Sequence, residues 1–287
     1  YLKMHGWQDE KVHYYGHTRS WSQRGSAISS LVAGFLVLYS GSYRIVFLYA
    51  IIPYLLNFLN ILSYPHQLNH PTGGRKKDPE RSIISVFKSF WEAVKNRKVF
   101  QIMNTAALHS SFLKANKDYI QLIMVQVAIL IPLMNSIDIK RKTGLVIGVI
   151  YFGIYLLTSL ASRKAFKVMH LGVPHIPKKT LLLGLLAGII SGLLMYADLW
   201  VAALFAFISI YIIENVRKPI LTGAMADNVP GDILTSVLSA QSFYTTLVTS
   251  TIAILLGVFS DLWGVGIALS VLSIILLVFS TLFRGVQ

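Results

Sequence analysis

Eight long apolar stretches separated by polar loops limit what this chain can fold into more than any other feature. They run from Ser20 to Leu38, Arg44 to Leu62, Val99 to Ala128, Gly144 to Ala161, Thr180 to Met195, Leu199 to Leu221, Ile233 to Val258 and Leu262 to Phe283. A helix needs about 20 largely apolar residues to cross roughly 30 Å of hydrocarbon, and each stretch meets or approaches that length. Only 13% of the residues are charged and 54% are hydrophobic, against about 25% charged in an average soluble domain. So little polar surface cannot cover a water-soluble fold, and an all-α integral membrane protein of about eight transmembrane helices is expected. Cysteine is absent, which excludes a disulfide framework, a thiolate metal site and a cysteine nucleophile. The net charge of +14 is spread between apolar stretches, whereas a nucleic-acid binder gathers its basic residues on one solvated face, so no nucleic-acid partner is expected. The chain opens at Tyr1 with polar residues such as His5, Gln8, Asp9 and Glu10. That start is read as a cut within a longer protein rather than as a signal peptide.

Loop charge sets the orientation, because Lys and Arg accumulate on the cytoplasmic side of short loops. The third stretch carries Asn104, His109, Lys114, Lys117 and Asp118, and two short crossings broken near Asn116 would invert every later loop. Taken as one long helix, it leaves most of the 26 Lys and Arg on one side. That side holds the polar start of the chain, Arg75 to Lys98, Arg163 to Lys179, Arg217 with Lys218, and Arg284. Arg44, Lys114, Lys117, Lys140, Arg141 and Lys142 fall on the other. One long helix is therefore expected, with both chain ends cytoplasmic in a bacterial inner membrane.

Between the second and third stretches lies a polar linker, Pro65 to Arg81, with the turn-forming Pro71-Thr72-Gly73-Gly74 and the run Arg75-Lys76-Lys77. After it, Ile83, Phe87, Phe90 and Val94 recur at helical spacing, opposite Lys88, Lys95 and Arg97. Two readings are open for this amphipathic helix: it lies in the headgroup boundary, or it packs on the ends of its own bundle.

Two helices, a long basic linker and six more helices resemble the last two thirds of a major facilitator superfamily transporter, its helices five to twelve. Arg19-Ser20-Trp21-Ser22-Gln23 with Gly25 and Gly34 resembles the cytoplasmic start of helix five, and Gly41-Ser42-Tyr43-Arg44 with Phe47 resembles the start of helix six. Asp118-Tyr119-Ile120-Gln121 is similar to the outer end of helix seven, and Pro230, Thr235 and Ser239 to the start of helix eleven. Gly257 to Gly264, with Asp261 between, resembles the family's Gly-x-x-x-Asp-x-x-Gly turn. In the loop expected after helix eight, Thr158-Ser159-Leu160-Ala161-Ser162-Arg163 lacks the glycine and aspartate of the family's Gly-x-Leu-Ala-Asp-Arg pattern. Val265 and Gly266 also stand where basic residues are usual.

The resemblance implies a major-facilitator-like helical bundle, N-terminally truncated. Residues 1–64 would be the last two helices of the N-terminal bundle, 65–98 the cytoplasmic linker, and 99–287 the C-terminal six-helix bundle. It also implies secondary transport of a small-molecule substrate by alternating access. Such transport couples to a proton or sodium and needs the missing N-terminal helices as partner, with the lipid bilayer as solvent.

Ionisable groups in hydrocarbon are costly and are functional candidates by default. Glu214 lies about fifteen residues into the sixth stretch, roughly 22 Å along its axis. Arg217 and Lys218 follow at i+3 and i+4 on the same face. This group reads either as a protonatable or substrate-pairing carboxylate, or as a structural ion pair near the cytoplasmic gate. His109, Lys114, Lys117, Asp118, Tyr119 and Gln121 make the most polar stretch of any span, and a cavity suits them. Snorkelling to the interface explains Lys117 and Asp118 equally well. Gln241, with Ser242 and Tyr244, is a further candidate for a polar path, although such residues also serve helix packing. His109 has no ligand-spaced companion, so neither a metal nor any other cofactor is expected.

Two other functions compete with transport. A multi-pass acyl or glycosyl transferase needs a carboxylate or histidine constellation at a membrane face; the 12 carboxylates are scattered and no nucleophile has a neighbouring base, so an enzyme is not expected. A non-transporting subunit would lack the polar path. The orientation is testable in this cysteine-free chain: single cysteines at Gly73 and Asn135 should be labelled from opposite sides of the membrane. Labelling of both from one side would overturn it.

Overall fold

The computed structural model describes residues 6–7, 10–64, 88, 91–92, 95–132, 137–170, 175–230 and 233–282. The linker from Pro65 to Arg81, and most of the amphipathic segment after it, including Ile83, Phe87, Phe90 and Val94, lie outside the described residues.

The helices occupy the expected stretches with shifted ends: α1 (Lys11–Ser40), α2 (Tyr43–Tyr49), α3 (Ile51–Leu62), α4 (Arg97–Asn116), α5 (Tyr119–Leu130), α6 (Ile139–Met169), α7 (Ile176–Tyr196), α8 (Trp200–Asn228), α9 (Leu234–Trp263) and α10 (Val265–Leu282). Local chemistry explains several ends. Gly41 closes α1 in the left-handed region at φ 68°, its N–H bonding Val37 O, a conformation that costs glycine little. The side chains of Ser42, Asn96 and Asp138 accept from the first backbone amides of α2, α4 and α6. Pro53 has no N–H to offer the preceding turn, and the second stretch accordingly divides at Ala50.

The third stretch is interrupted at Lys117 and Asp118, but both keep right-handed helical backbone angles. The chain therefore steps from α4 into α5 without leaving helical backbone angles. Two sequence expectations need correcting. Thr158 to Arg163 is not a loop: α6 runs through it to Met169, because its hydroxyls pack against neighbouring helices. The turn between the last two helices sits at Gly264 (φ 80°), not near Ser260, because glycine there tolerates the positive φ.

Tyr43–Leu62, Ile139–Met169, Ile176–Tyr196, Trp200–Asn228 and Leu234–Trp263 are long and apolar enough to cross a membrane by length and composition; Tyr119–Leu130 and Val265–Thr281 are shorter apolar helices. α1 and α4, of 30 and 20 residues, are long enough but more polar, and they supply many of the buried polar groups. In hydrocarbon, helices associate through close packing and interhelical hydrogen bonds rather than through exclusion of water. α1 and α6 show this over their full lengths. A Cβ on Gly148 would meet Gly34 Cα at 2.7 Å and Ser30 O at 2.8 Å. Further along, the Ser20 and Ser159 hydroxyls lie 2.8 Å apart, and Ser159 Oγ donates to Ser20 O at 3.0 Å. Gly192 and Gly266 bring α7 and α10 into similar contact. The principal core lies among α4 to α10, around Phe112, Ile123, Met124, Leu185, Phe207 and Leu256. By contrast, α2 and α3 contain no buried residue.

α8 passes through Pro219, which cannot donate to the carbonyl of Asn215 one turn earlier. Ser162 Oγ of α6 donates to that freed oxygen at 3.1 Å, so the proline is tolerated because a neighbouring helix satisfies what it strands.

Gly148→Ala should push α1 from α6 and cost about 1–3 kcal/mol by overpacking, read as a lower thermal midpoint of the purified protein. Gly153→Ala, on the same helix with nothing within 4 Å of the added Cβ, should be neutral or gain up to about 1 kcal/mol. Equal effects at the two positions would show that the crossing is not a close one.

Candidate functional site

Where α4 faces α8, polar side chains meet inside the apolar bundle. Glu214, Asn215 and Arg217 of α8 are buried, as are Thr105, His109 and Ser111 of α4. His109 Nδ1 lies 2.7 Å from Glu214 Oε2, and Ser110 Oγ donates to Oε1 of the same carboxylate. Both carboxylate oxygens thus have partners from α4. The ring of His109 is fully buried, and its Nε2 has no hydrogen-bond partner among the described residues. With Nε2 unpartnered, the tautomer carrying its proton on Nδ1 lets the ring donate to Glu214.

Gly184 of α7 makes room for that ring. A Cβ there would stand 2.0 Å from His109 Nε2, so only glycine leaves the imidazole its place.

The ion pair expected between Glu214 and Arg217 or Lys218 does not form. Among the described residues neither cation is within ion-pair distance of the carboxylate; its Oε2 pairs instead with His109 Nδ1. Arg217, 1% exposed, points instead to neutral oxygens. Nη1 donates to Thr180 Oγ1 at 2.7 Å and to Pro177 O, and Nη2 donates to Thr105 O at 2.8 Å. Helical spacing placed Arg217 on the right turn, but the long guanidinium stem swings to the start of α7, where it reaches the Pro177 carbonyl and the Thr180 hydroxyl. The result is one side chain tying α4, α7 and α8 together. Arg19 of α1 adds a fourth helix through Nε donating to Asn215 Oδ1 at 2.9 Å.

Lys218 is exposed, as are Lys114, Lys117, Asp118 and Gln121; Tyr119 and Gln241 are half-buried. Asp118 sits at the step between α4 and α5. On α5, Gln121 faces the Tyr151 hydroxyl, which also faces that of Tyr211. Tyr151 stacks on Tyr155 at 5.8 Å between ring centroids, and Phe207 lies 6.1 Å from Tyr211. Gln241 lies apart on α9, where its carbonyl accepts from Thr245 Oγ1, and nearby Tyr244 donates to Asn104 Oδ1 at 3.0 Å.

Of the residues singled out in the sequence, the structure brings His109, Glu214 and Arg217 together; Ser110, Thr105, Thr180, Gly184 and the three tyrosines beside them were not singled out. Tyr151 and Tyr155, at i and i+4, carried a readable signal, as did Ser110 beside His109. Gly184 carried none, since its role exists only once α7 faces α4.

The sequence model of the Major Facilitator Superfamily matches residues 9–250. The chain belongs to that superfamily, whose members are membrane transporters, and is a multi-pass integral membrane protein. No curated protein and no solved structure matches it.

The space relation between Gly184 and His109 is open to a double-mutant test. Gly184→Ala should cost about 1–3 kcal/mol in thermal stability, and much of that should vanish in a His109→Ala background, where the methyl has room. Additive costs would mean that the imidazole is not what Gly184 accommodates.

Proposed function

We propose that this protein is a secondary transporter of a small solute working by alternating access, with Glu214 and His109 as the groups that load and release a coupling proton. One observation carries this reading: an ionisable carboxylate inside the bundle, bonded to an imidazole of another helix. An ionised carboxylate removed from water is costly unless paired, hydrated or protonated. The pair can exist with a proton on the imidazole, on the carboxylate, or on neither beyond the one they share. Which state is favoured depends on whether water reaches the pair, and alternating access changes that. A proton suits the site better than sodium, which needs free oxygen ligands; both oxygens of Glu214 are already engaged by His109 and Ser110.

In this reading α1 to α3 belong to one half of the transporter and α4 to α10 to the other, the halves rocking about the polar region. The sliding surface is the small-residue crossing of α1 on α6. Support comes from the way α1 lies along α6 and α8 while α2 and α3 bury no residue. The basic loops face the cytoplasm, following their charge. Arg217 is a clamp in this scheme rather than a proton carrier, because its donors hold neutral oxygens on two neighbouring helices.

Glu214→Gln keeps the shape and can still bond Ser110, but it cannot be charged. The expected result is near-normal folded yield with transport per folded molecule lost or its pH dependence altered. Reduced folded protein with unchanged transport per molecule across pH would leave Glu214 a structural residue only.

A further inference from the structure

α1 meets α8 in a run of contacts set one turn apart on α8. At its start, Lys11 Nζ lies 2.7 Å from Asp227 Oδ1. A Cβ on Gly223 would then stand 3.7 Å from the Cβ of Val12, and one on Gly16 would stand 3.8 Å from that of Pro219, so two glycines bring the backbones close. Arg19 Nε ends the run on Asn215 Oδ1 at 2.9 Å. On α8 the contacts fall at 227, 223, 219 and 215, every fourth residue, over about 18 Å of axis. The two helices therefore run antiparallel, with α1 lying along one i±4 ridge of α8. These contacts occupy Lys11 to Arg19 of α1, at the end of the bundle assigned above to the cytoplasm, whereas its contact with α6 continues as far as Val37 against Gly144.

Such a run is cheap to part. The side chains of Lys11 and Asp227 are 32% and 63% exposed, so water solvates either charge once they separate, and pairs of this kind hold only weakly. The glycine contacts bury little apolar side chain. The single hydrogen bond from Arg19 to Asn215 can be replaced by water as the helices move apart. Behind the run stands Ser162 of α6, fully buried. Its carbonyl is what a Cβ on Gly16 would strike, and its hydroxyl holds the Asn215 carbonyl at 3.1 Å. Resting on the two-half transport reading above, we propose that the run from Lys11–Asp227 to Arg19–Asn215 is the seal of the transporter at its basic end, with Lys11 and Asp227 as its latch. α1 turns about its crossing on α6 and comes away from α8, which opens a way for water to Asn215 and its neighbour Glu214.

Thiol chemistry reads the latch without any solute, because these 287 residues contain no cysteine. In a Ser162→Cys background of the membrane-embedded protein, N-ethylmaleimide, which carries no charge, should react slowly while the native pair is present. Asp227→Lys sets two ammonium groups against each other and should raise the rate about two- to fivefold. Adding Lys11→Asp restores the pair in reverse and should bring the rate back, which separates loss of the pair from a general loosening of the fold. A rate unmoved by Asp227→Lys, a rate that the reversed pair leaves high, or no reaction in any of the three would overturn the latch. The seal is tested by Val12→Cys with Gly223→Cys, whose Cβ atoms would stand 3.7 Å apart, close to the usual spacing in a disulfide. The bridge should form on mild oxidation, abolish transport, and restore it on reduction. Failure to bridge, or bridged protein that transports normally, would overturn the seal. Should the unbridged protein move no solute at all, the transport reading fails while the maleimide rates still decide the latch.

Discussion

Inside a bundle of apolar helices no water is on hand to solvate a stranded polar group, and each such group must be met by another part of the protein. Much of this structure follows from that requirement. Pro219 frees the carbonyl of Asn215, and Ser162 reaches across from α6 to bond it. The guanidinium of the buried Arg217 is met by the Pro177 carbonyl, the Thr180 hydroxyl and the Thr105 carbonyl. Glu214 has one partner on each oxygen. These bonds run between helices, so they also fix which helices are neighbours. The same side chains that solve a local problem therefore hold the architecture.

Hydrogen bonds of this kind average only about 0.6 kcal/mol each in membrane bundles, so close packing has to supply the rest. Here it does so through small residues placed opposite one another. Gly34 against Gly148 and Gly192 against Gly266 let backbones touch, and Gly184 admits an imidazole that no larger residue would leave room for. The polar site is thus a consequence of the packing: His109 meets Glu214 because α7 yields space behind its ring.

Division of labour between two neighbouring residues of α8 gives the site its character. Glu214 is held by the imidazole of His109 and the hydroxyl of Ser110, whereas Arg217, less than a turn away, is held by two backbone carbonyls and a hydroxyl. The bonds of Arg217 join α4, α7 and α8 beside the pair of Glu214 and His109.

The sequence by itself determined that this protein is a bundle of membrane helices, since runs of about 20 apolar residues have few other fates. It also showed that His109, Glu214 and Arg217 stand in spans where ionisable groups are costly. The division of the second stretch at Ala50, ahead of Pro53, and the turn at Gly264 were not read from the sequence, although backbone chemistry accounts for both. Pairing was another matter. The spacing of Glu214 and Arg217 pointed to an ion pair along one helix, yet the carboxylate went to His109, 105 residues away in the chain, and the guanidinium to carbonyls of two other helices. Helical periodicity says which side chains share a face, but a long side chain chooses among all the partners its neighbours bring. Only the tertiary structure decided that Gly184 would stand behind His109 and that Ser162 would answer Pro219, because each of those contacts exists between helices and neither leaves a mark on the local sequence.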